Sequence, residues 1–483
     1  MTISKTVTGF FKAETVNNLS TNGGRAGYVP VIHAAKNNLF PRVTKAERTS
    51  GITRYRKEFW KNRAANNDAA YGVKVAIGKP SNAGDRMAIS LGTQSDRQSD
   101  WVSNPPLFMG CGSLNTALAG GETKVALLME ANDCAVIPGG FFFIHNKVRL
   151  SQTVASDVAN GDSVLYSGGT WIKTTATDDI AYPKGIYLGD DKVYTEETGA
   201  YTEEYLKTQT YLNEEVIGTG DGADTSPLLA DLAEVVKDDV TMGVVGHPDY
   251  APVVTATCGG VTRTITIDKD GNCSGYCTAG EIDLSDGTWI TEITFTTAPD
   301  SGSDITITYY TKNYSYSGNV MQVHLEDSVS NAYLTTNTYG AGCIGDDDTE
   351  VVATYSDFAV TSSGGSFNNA TYPIVMDNRG AVEETWTLTM TSPTTFTASG
   401  ANEGSVGTGG FGAGYSDFSP VNSNTGHPYF TLPKAGASGS WLSGDKIVFK
   451  THPAFMPIVW REIVPAGTAA ESINMTIAEV VWE

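Results

Sequence analysis

Histidine is the first side chain to examine for chemistry, because an imidazole titrates near neutrality and serves as base, acid or metal ligand. The chain has six: His33, His145, His247, His324, His427 and His452. His247, His427 and His452 each stand directly before a proline, a spacing that marks turns rather than a ligand-bearing face. His324-Leu325-Glu326 has the His-x-Glu spacing of zinc deaminases, but no paired cysteines follow it. Neither HExxH nor GxSxG occurs. A hydrolase would therefore lack its nucleophile and its base, and no enzymatic activity is expected.

Paired carboxylates could instead cleave glycans, given two carboxyls roughly 5–10 Å apart across a cleft. Glu326-Asp327, Glu383-Glu384 and Asp346-Asp347-Asp348 are the available groups. Neighbours in a strand face opposite sides, so no doublet makes such a pair by itself. Solvated acidic surface is the expected role.

Calcium is the more credible metal. Asp268-Lys269-Asp270-Gly271-Asn272 has alternate oxygen ligands, but Cys273 and Ala279 stand where an EF-hand needs glycine and glutamate. An Asp-Gly-Asn turn accounts for it without metal. Asp346, Asp347, Asp348 and Glu350 form a denser oxygen cluster and are the weak calcium candidates. Cys273 and Cys277 have three residues between them, and no second pair answers them, so a zinc quartet is not expected. No cofactor is expected. Tyrosines at 187, 194, 201, 205, 211, 309, 310, 314 and 316 could stack on sugar rings, but burial in a core or subunit interface suits them better.

Charge is unevenly spread. The 483 residues carry a formal net charge of −22, which argues against nucleic acid as a general partner. Residues 1–63 nevertheless hold 12 of the 32 basic side chains and only three acidic ones, Glu14, Glu47 and Glu58. A basic arm on an acidic body could dock on a neighbouring copy, another acidic subunit or DNA. Its expected contact residues are Arg42, Arg48, Arg54, Tyr55, Arg56, Lys57, Phe59, Trp60, Lys61 and Arg63.

The elements that must position these groups read as β-structure. Threonine, serine and 52 glycines are abundant, while only 18% of residues are charged. Residues 1–50 read as an extended basic arm, and 51–150 as a β-sandwich in which 53–60 suits an edge or interface strand. Residues 151–213 read as a connecting β-subdomain with a linker, 214–313 as an inserted small β-domain, and 314–483 as a C-terminal β-domain. Residues 227–237 carry the best helical pattern, with Ser226 as cap and Leu228, Leu232, Val235 and Val236 on one face; 201–215 also has helical composition. Glycine-rich 398–414 reads as a looping excursion. No apolar run approaches a membrane span, and residues 1–16 lack the apolar stretch of a signal peptide, so synthesis in the cytosol without a membrane anchor is expected.

Residues 281–310, EIDLSDGTWITEITFTTAPDSGSDITITYY, alternate apolar residues with threonine in two strands around a turn-forming linker, as a hairpin would. With Ile217-Gly218-Thr219-Gly220-Asp221-Gly222 upstream, the stretch 216–312 resembles a small β-domain of tailed-bacteriophage virion proteins. The phrases RYRKEFWKN, DNRGAVEETWTLTMTSPTTF, DFSPVNSNTGHPYFTLP and GDKIVFKTHPAFMPIVWREIVPAG are similar to parts of phage structural proteins. The resemblance implies a virion structural protein, assembled in the host cytoplasm as a symmetric homo-oligomer with other virion proteins. The expected station is the tail: baseplate, tail tip or neck/collar. A capsid decoration or vertex protein is one alternative, and a module binding host surface glycan is another. The expected fold is all-β, with several β-sandwich or Ig-like domains in tandem, one inserted, an extended N-terminal arm and few short helices.

Overall fold

The computed structural model describes residues 3, 7–31, 38–81, 83–147, 149–153, 163–167, 170–174, 186–187, 192–196, 201–237, 240–470 and 476–482. The protein is all-β. Among the described residues the α-helices are two single-turn pieces, α1 (Lys45–Ser50) and α2 (Gln98–Ser103).

The first part of the chain supplies β1 (Thr8–Thr15), β2 (Gly23–Pro30), β3 (Ile52–Asn62), β4 (Lys74–Lys79), β5 (Arg86–Leu91), β6 (Met109–Leu114), β7 (Lys124–Leu128), β8 (Phe141–His145) and β9 (Glu203–Lys207). In the connecting segment Ser163–Ser167 pairs with Thr170–Thr174, and Lys192–Glu196 with Arg149–Thr153. An inserted unit follows with β10 (Tyr211–Thr219), β11 (Val253–Cys258), β12 (Val261–Ile267), β13 (Cys273–Gly275), β14 (Cys277–Ile282), β15 (Trp289–Phe295) and β16 (Asp304–Thr311). The chain ends with β17 (Tyr314–Ser317), β18 (Val320–His324), β19 (Tyr339–Gly342), β20 (Thr354–Thr361), β21 (Glu384–Met390), β22 (Thr395–Gly400), β23 (Gly404–Gly410), β24 (Lys446–His452), β25 (Phe455–Val464) and β26 (Ile477–Val481).

Twelve strands form the main sheet, in the order β9-β8-β19-β6-β5-β25-β3-β1-β2, with β7, β18 and β17 branching from β6. Segments far apart in sequence are therefore one layer: β25 pairs with β3 from Ile52↔Val464 to Lys61↔Phe455 and also with β5. A second sheet, β20-β24-β21-β22-β23, shares its apolar cluster with the main sheet, from Ile89 and Met109 to Trp386, Phe396 and Phe449.

Several expectations are corrected here. Residues 1–50 are not a bare arm, because β1 and β2 pair with each other and β1 pairs with β3. The strand expected at an edge or interface, β3, lies between β25 and β1 inside the main sheet. The helix expected at 227–237 is absent: Leu229, Leu232 and Val235 are buried at three-residue intervals from a largely extended segment whose Ala230 N–H donates to Ile217 O (2.7 Å). Burial against the inserted core overrides helical propensity there. The helical composition of 201–215 resolves into β9 and β10. The glycine-rich excursion is a hairpin of β22 and β23, where a Cβ on Gly409 would fall 2.5 Å from the ring of Phe396. Glycine is needed because two phenylalanines lie on that backbone.

The inserted unit buries its own core, which includes Val254, Ile265, Ile293, Phe295, Ile305, Ile307 and Tyr309. It enters and leaves through neighbouring strands, since Tyr211 pairs with Thr311. The two strands read as a hairpin do not pair: β16 joins β10 and β11, whereas β15 pairs with β14 in a second layer. The linker between them is an arch. Asp300 accepts N–H bonds from Gly259 and Gly260 (both 2.7 Å), and Gly220 donates to Ser303 O (2.8 Å).

Candidate functional site

Most of the residues nominated for docking face inward. Arg54, Arg56, Lys57 and Lys61 are 3%, 2%, 1% and 5% exposed, and Tyr55, Phe59 and Trp60 pack in the same sheet. Alternate residues of β3 point to opposite faces, so charges lie on both. On one face Arg54 pairs with Glu462 and donates to Pro41 O (2.8 Å); Arg56 donates to Leu39 O (3.1 Å), Asn17 O (2.8 Å) and Asn18 Oδ1 (2.7 Å); Trp460 Nε1 donates to Glu58 (2.7 Å). On the other, Lys57 pairs with Asp96 and donates to Gly24 O (2.8 Å), and Lys61 donates to Gly27 O (2.8 Å). Phe455 and Phe11 flank the Lys61 ammonium at 4.1 and 4.4 Å. Burial drives the Lys61 ammonium down to about 7 and the Glu58 carboxyl up to about 7. Burial also lifts Glu462 to about 7, against the opposing pull of Arg54. Buried charge requires partners of this kind. The basic stretch ties the N-terminal hairpin to its own chain; of the nominated cations, Arg42 is exposed, and Arg48 and Arg63 are half-buried.

The oxygen cluster nominated for calcium is turned to other ends. Asp346 accepts from Thr349 Oγ1 (2.8 Å) and the Asp348 N–H (3.1 Å), and Asp347 pairs with Lys74. Glu350 is exposed. Among the described residues no three His, Cys, Asp or Glu side chains converge as a metal site. Asp268 caps its own turn through the N–H groups of Asp270 and Asn272 (both 2.9 Å). The tyrosines divide: Tyr205 stacks on Phe143 (4.6 Å) and Tyr309 is buried, Tyr201 is exposed, and the side chains of Tyr187 and Tyr194 lie outside the described residues.

One group of three does converge, on the outer face of the second sheet. Ser356 Oγ lies 2.9 Å from His452 Nε2, and Glu383 Oε2 lies 3.0 Å from Nδ1 of the same ring. His452 ends β24, Glu383 precedes β21 and Ser356 sits on β20. The doublet Glu383-Glu384 splits as alternation requires: Glu384 is buried and accepts the N–H groups of Asn402 (2.9 Å) and Glu403 (2.8 Å). The ladder between β20 and β24 skips from Ser356 to Ala359, and Asp357 at the skip has φ of 53°. Asp357 holds Lys450 at 2.7 Å. Sequence reading missed this trio because its members are 27 to 96 residues apart in the chain and no local motif joins them. His452, directly before a proline, reads from sequence as a turn residue, yet it ends a strand.

No protein-family model, curated protein or solved structure matches the chain.

Proposed function

We propose that the chain is a structural subunit of a tailed-phage particle, assembled with copies of itself and with other virion proteins in the host cytoplasm. Its station in this reading is the tail, at the baseplate, tail tip or collar. The reading rests on the phage-like phrases of the sequence and on one structural observation. The inserted unit has a closed apolar core yet carries Leu212, Val216, Ile290 and Leu228 outward, 53%, 58%, 59% and 86% exposed. Exposed apolar side chains on a unit with its own closed core suit a subunit interface. With Arg54, Arg56, Lys57 and Lys61 engaged inside the molecule, burial of apolar surface is left as the principal source of association.

Native mass spectrometry of the purified chain at micromolar concentration should give a closed oligomer. Changing Leu212, Val216 and Leu228 together to serine should dissociate it while leaving the melting curve of the main sheet in place. A monomer throughout would sink the assembly reading. Gold labelling of particles carrying a tagged chain tests the station: label on the shell would make it a decoration or vertex protein, and unlabelled particles would remove it from the virion.

A further inference from the structure

The trio on the second sheet goes beyond an assembly role. We propose that Ser356, His452 and Glu383 form an acyl-transfer site that hydrolyses short-chain carboxylic esters. The roles follow from which ring nitrogen meets which partner. With its proton on Nδ1, His452 donates to Glu383 (3.0 and 3.2 Å to its two oxygens) and leaves Nε2 free to accept from Ser356 Oγ at 2.9 Å. A nucleophile, a base and a group that fixes the base's tautomer are thereby aligned, and such sets are recognised by geometry rather than by chain order or fold.

The backbone beside the nucleophile adds a second feature. A bulge leaves its extra residues outside the ladder. Here those residues are Asp357 and Phe358, immediately after Ser356, and the left-handed φ at Asp357 turns the chain sharply. The N–H of the residue following a nucleophilic serine is a recurrent donor to the oxyanion of the tetrahedral intermediate. The Asp357 side chain is turned toward Lys450. His452 and Glu383 side chains are 35% and 24% exposed, so a substrate can reach the ring. The Lys450 and Asp357 side chains beside the trio are exposed and give a long acyl chain no apolar surface to bind, which favours small acyl groups.

In the first step the Ser356 Oγ–acyl carbon bond forms as the hydroxyl proton passes to His452 Nε2. The imidazolium then returns that proton to the leaving alkoxide oxygen as the ester C–O bond breaks. Water, deprotonated by Nε2, attacks the acyl-serine; the proton goes to Ser356 Oγ and a carboxylic acid leaves. Glu383 is a positioning residue throughout.

Treating the full chain with a fluorophosphonate should place one adduct on Ser356, located by peptide mass spectrometry. Ser356→Ala and His452→Ala should abolish it and lower p-nitrophenyl acetate hydrolysis by about 100-fold or more. Glu383→Gln should slow both and shift the pH midpoint of labelling downward, a change that a merely structural glutamate would not produce. Absence of an adduct on Ser356 in the wild-type chain, or hydrolysis unchanged in Ser356→Ala, overturns the proposal.

Discussion

Strands β3 and β16 are both central in antiparallel sheets, but only β16 alternates two residue classes along its length. In β16 the alternation has its ordinary meaning. Ile305, Ile307 and Tyr309 are buried, and Thr308 faces solvent. In β3 each face carries both charged residues and aromatics, and from Arg56 to Asn62 every residue is buried. The difference is what covers the second face. Outside β16 there is water. Over β3 lie the loop around Leu39, the turn at Asn17 and Asn18, and Asp96, which supply carbonyl and carboxylate oxygens for the cations. A charged strand is thus an exposed edge or a doubly covered centre, depending on chain segments remote from it.

The sharpest way to break this comparison is to remove one cation from β3. Arg54→Ala leaves Glu462 buried without its partner, and loss of one member of a buried pair costs about 3–5 kcal/mol. Urea unfolding should show that loss for the whole main sheet, with β1, β3 and β25 released together. A change below about 1 kcal/mol would mean that the pair is solvated and β3 is an ordinary surface strand.

Ile307→Ala should be nearly as costly, about 2–5 kcal/mol, but confined to the inserted unit whose core it lines. Hydrogen exchange of the full chain should lose protection across 211–311 and retain it in β3 and β25. Equal loss in both would show that the two cores unfold as one.

A pH series sharpens the contrast further. Glu58 titrates at about 7 in the folded chain against 4.5 unfolded, so its stabilising contribution is complete below 4.5 and is lost as pH rises to 7. Glu58→Gln keeps an acceptor for Trp460 and should become more stable than wild type by on the order of 3 kcal/mol across that window. Lys61 has the opposite sign: depressed from 10.5 to about 7, it contributes above 10.5 and loses that contribution as pH falls to 7. Lys61→Met should therefore gain most, relative to wild type, at and below neutrality. Thermal melts of the variants from about pH 4 to about pH 11 check both signs.

The smallest effect belongs to the solvent face of β16. Thr308→Ala should move stability by no more than about 0.5 kcal/mol. A larger loss in oligomer, with none in monomer, would place a neighbouring copy on that face.

Much of the strand inventory could be read from local pattern. The threonine alternation of β16 and the apolar alternation of Thr385 to Met390 each name a strand, because each has one buried face and the period is visible in six or seven residues. The segment at 227–237 misled because its leucines and valines satisfy a helical period as well as the three-residue spacing they adopt. The strands around Pro299 misled because a turn-rich linker serves an arch between layers as well as a hairpin within one, and only the caps from Gly220, Gly259 and Gly260 distinguish the two.

The Ser356–His452–Glu383 trio could not be read at all, since its members meet through cross-strand neighbours and a bulge that no spacing records. The sequence by itself determined the all-β class, through threonine, glycine and period-two alternation, which act over a few residues. Tertiary structure alone decided which strands are central, where the N-terminal charges go and which hydroxyl meets an imidazole. Those outcomes depend on partners supplied from hundreds of residues away, such as Glu462 for Arg54, and on burial that raises or lowers a pKa only once the chain has closed around the group.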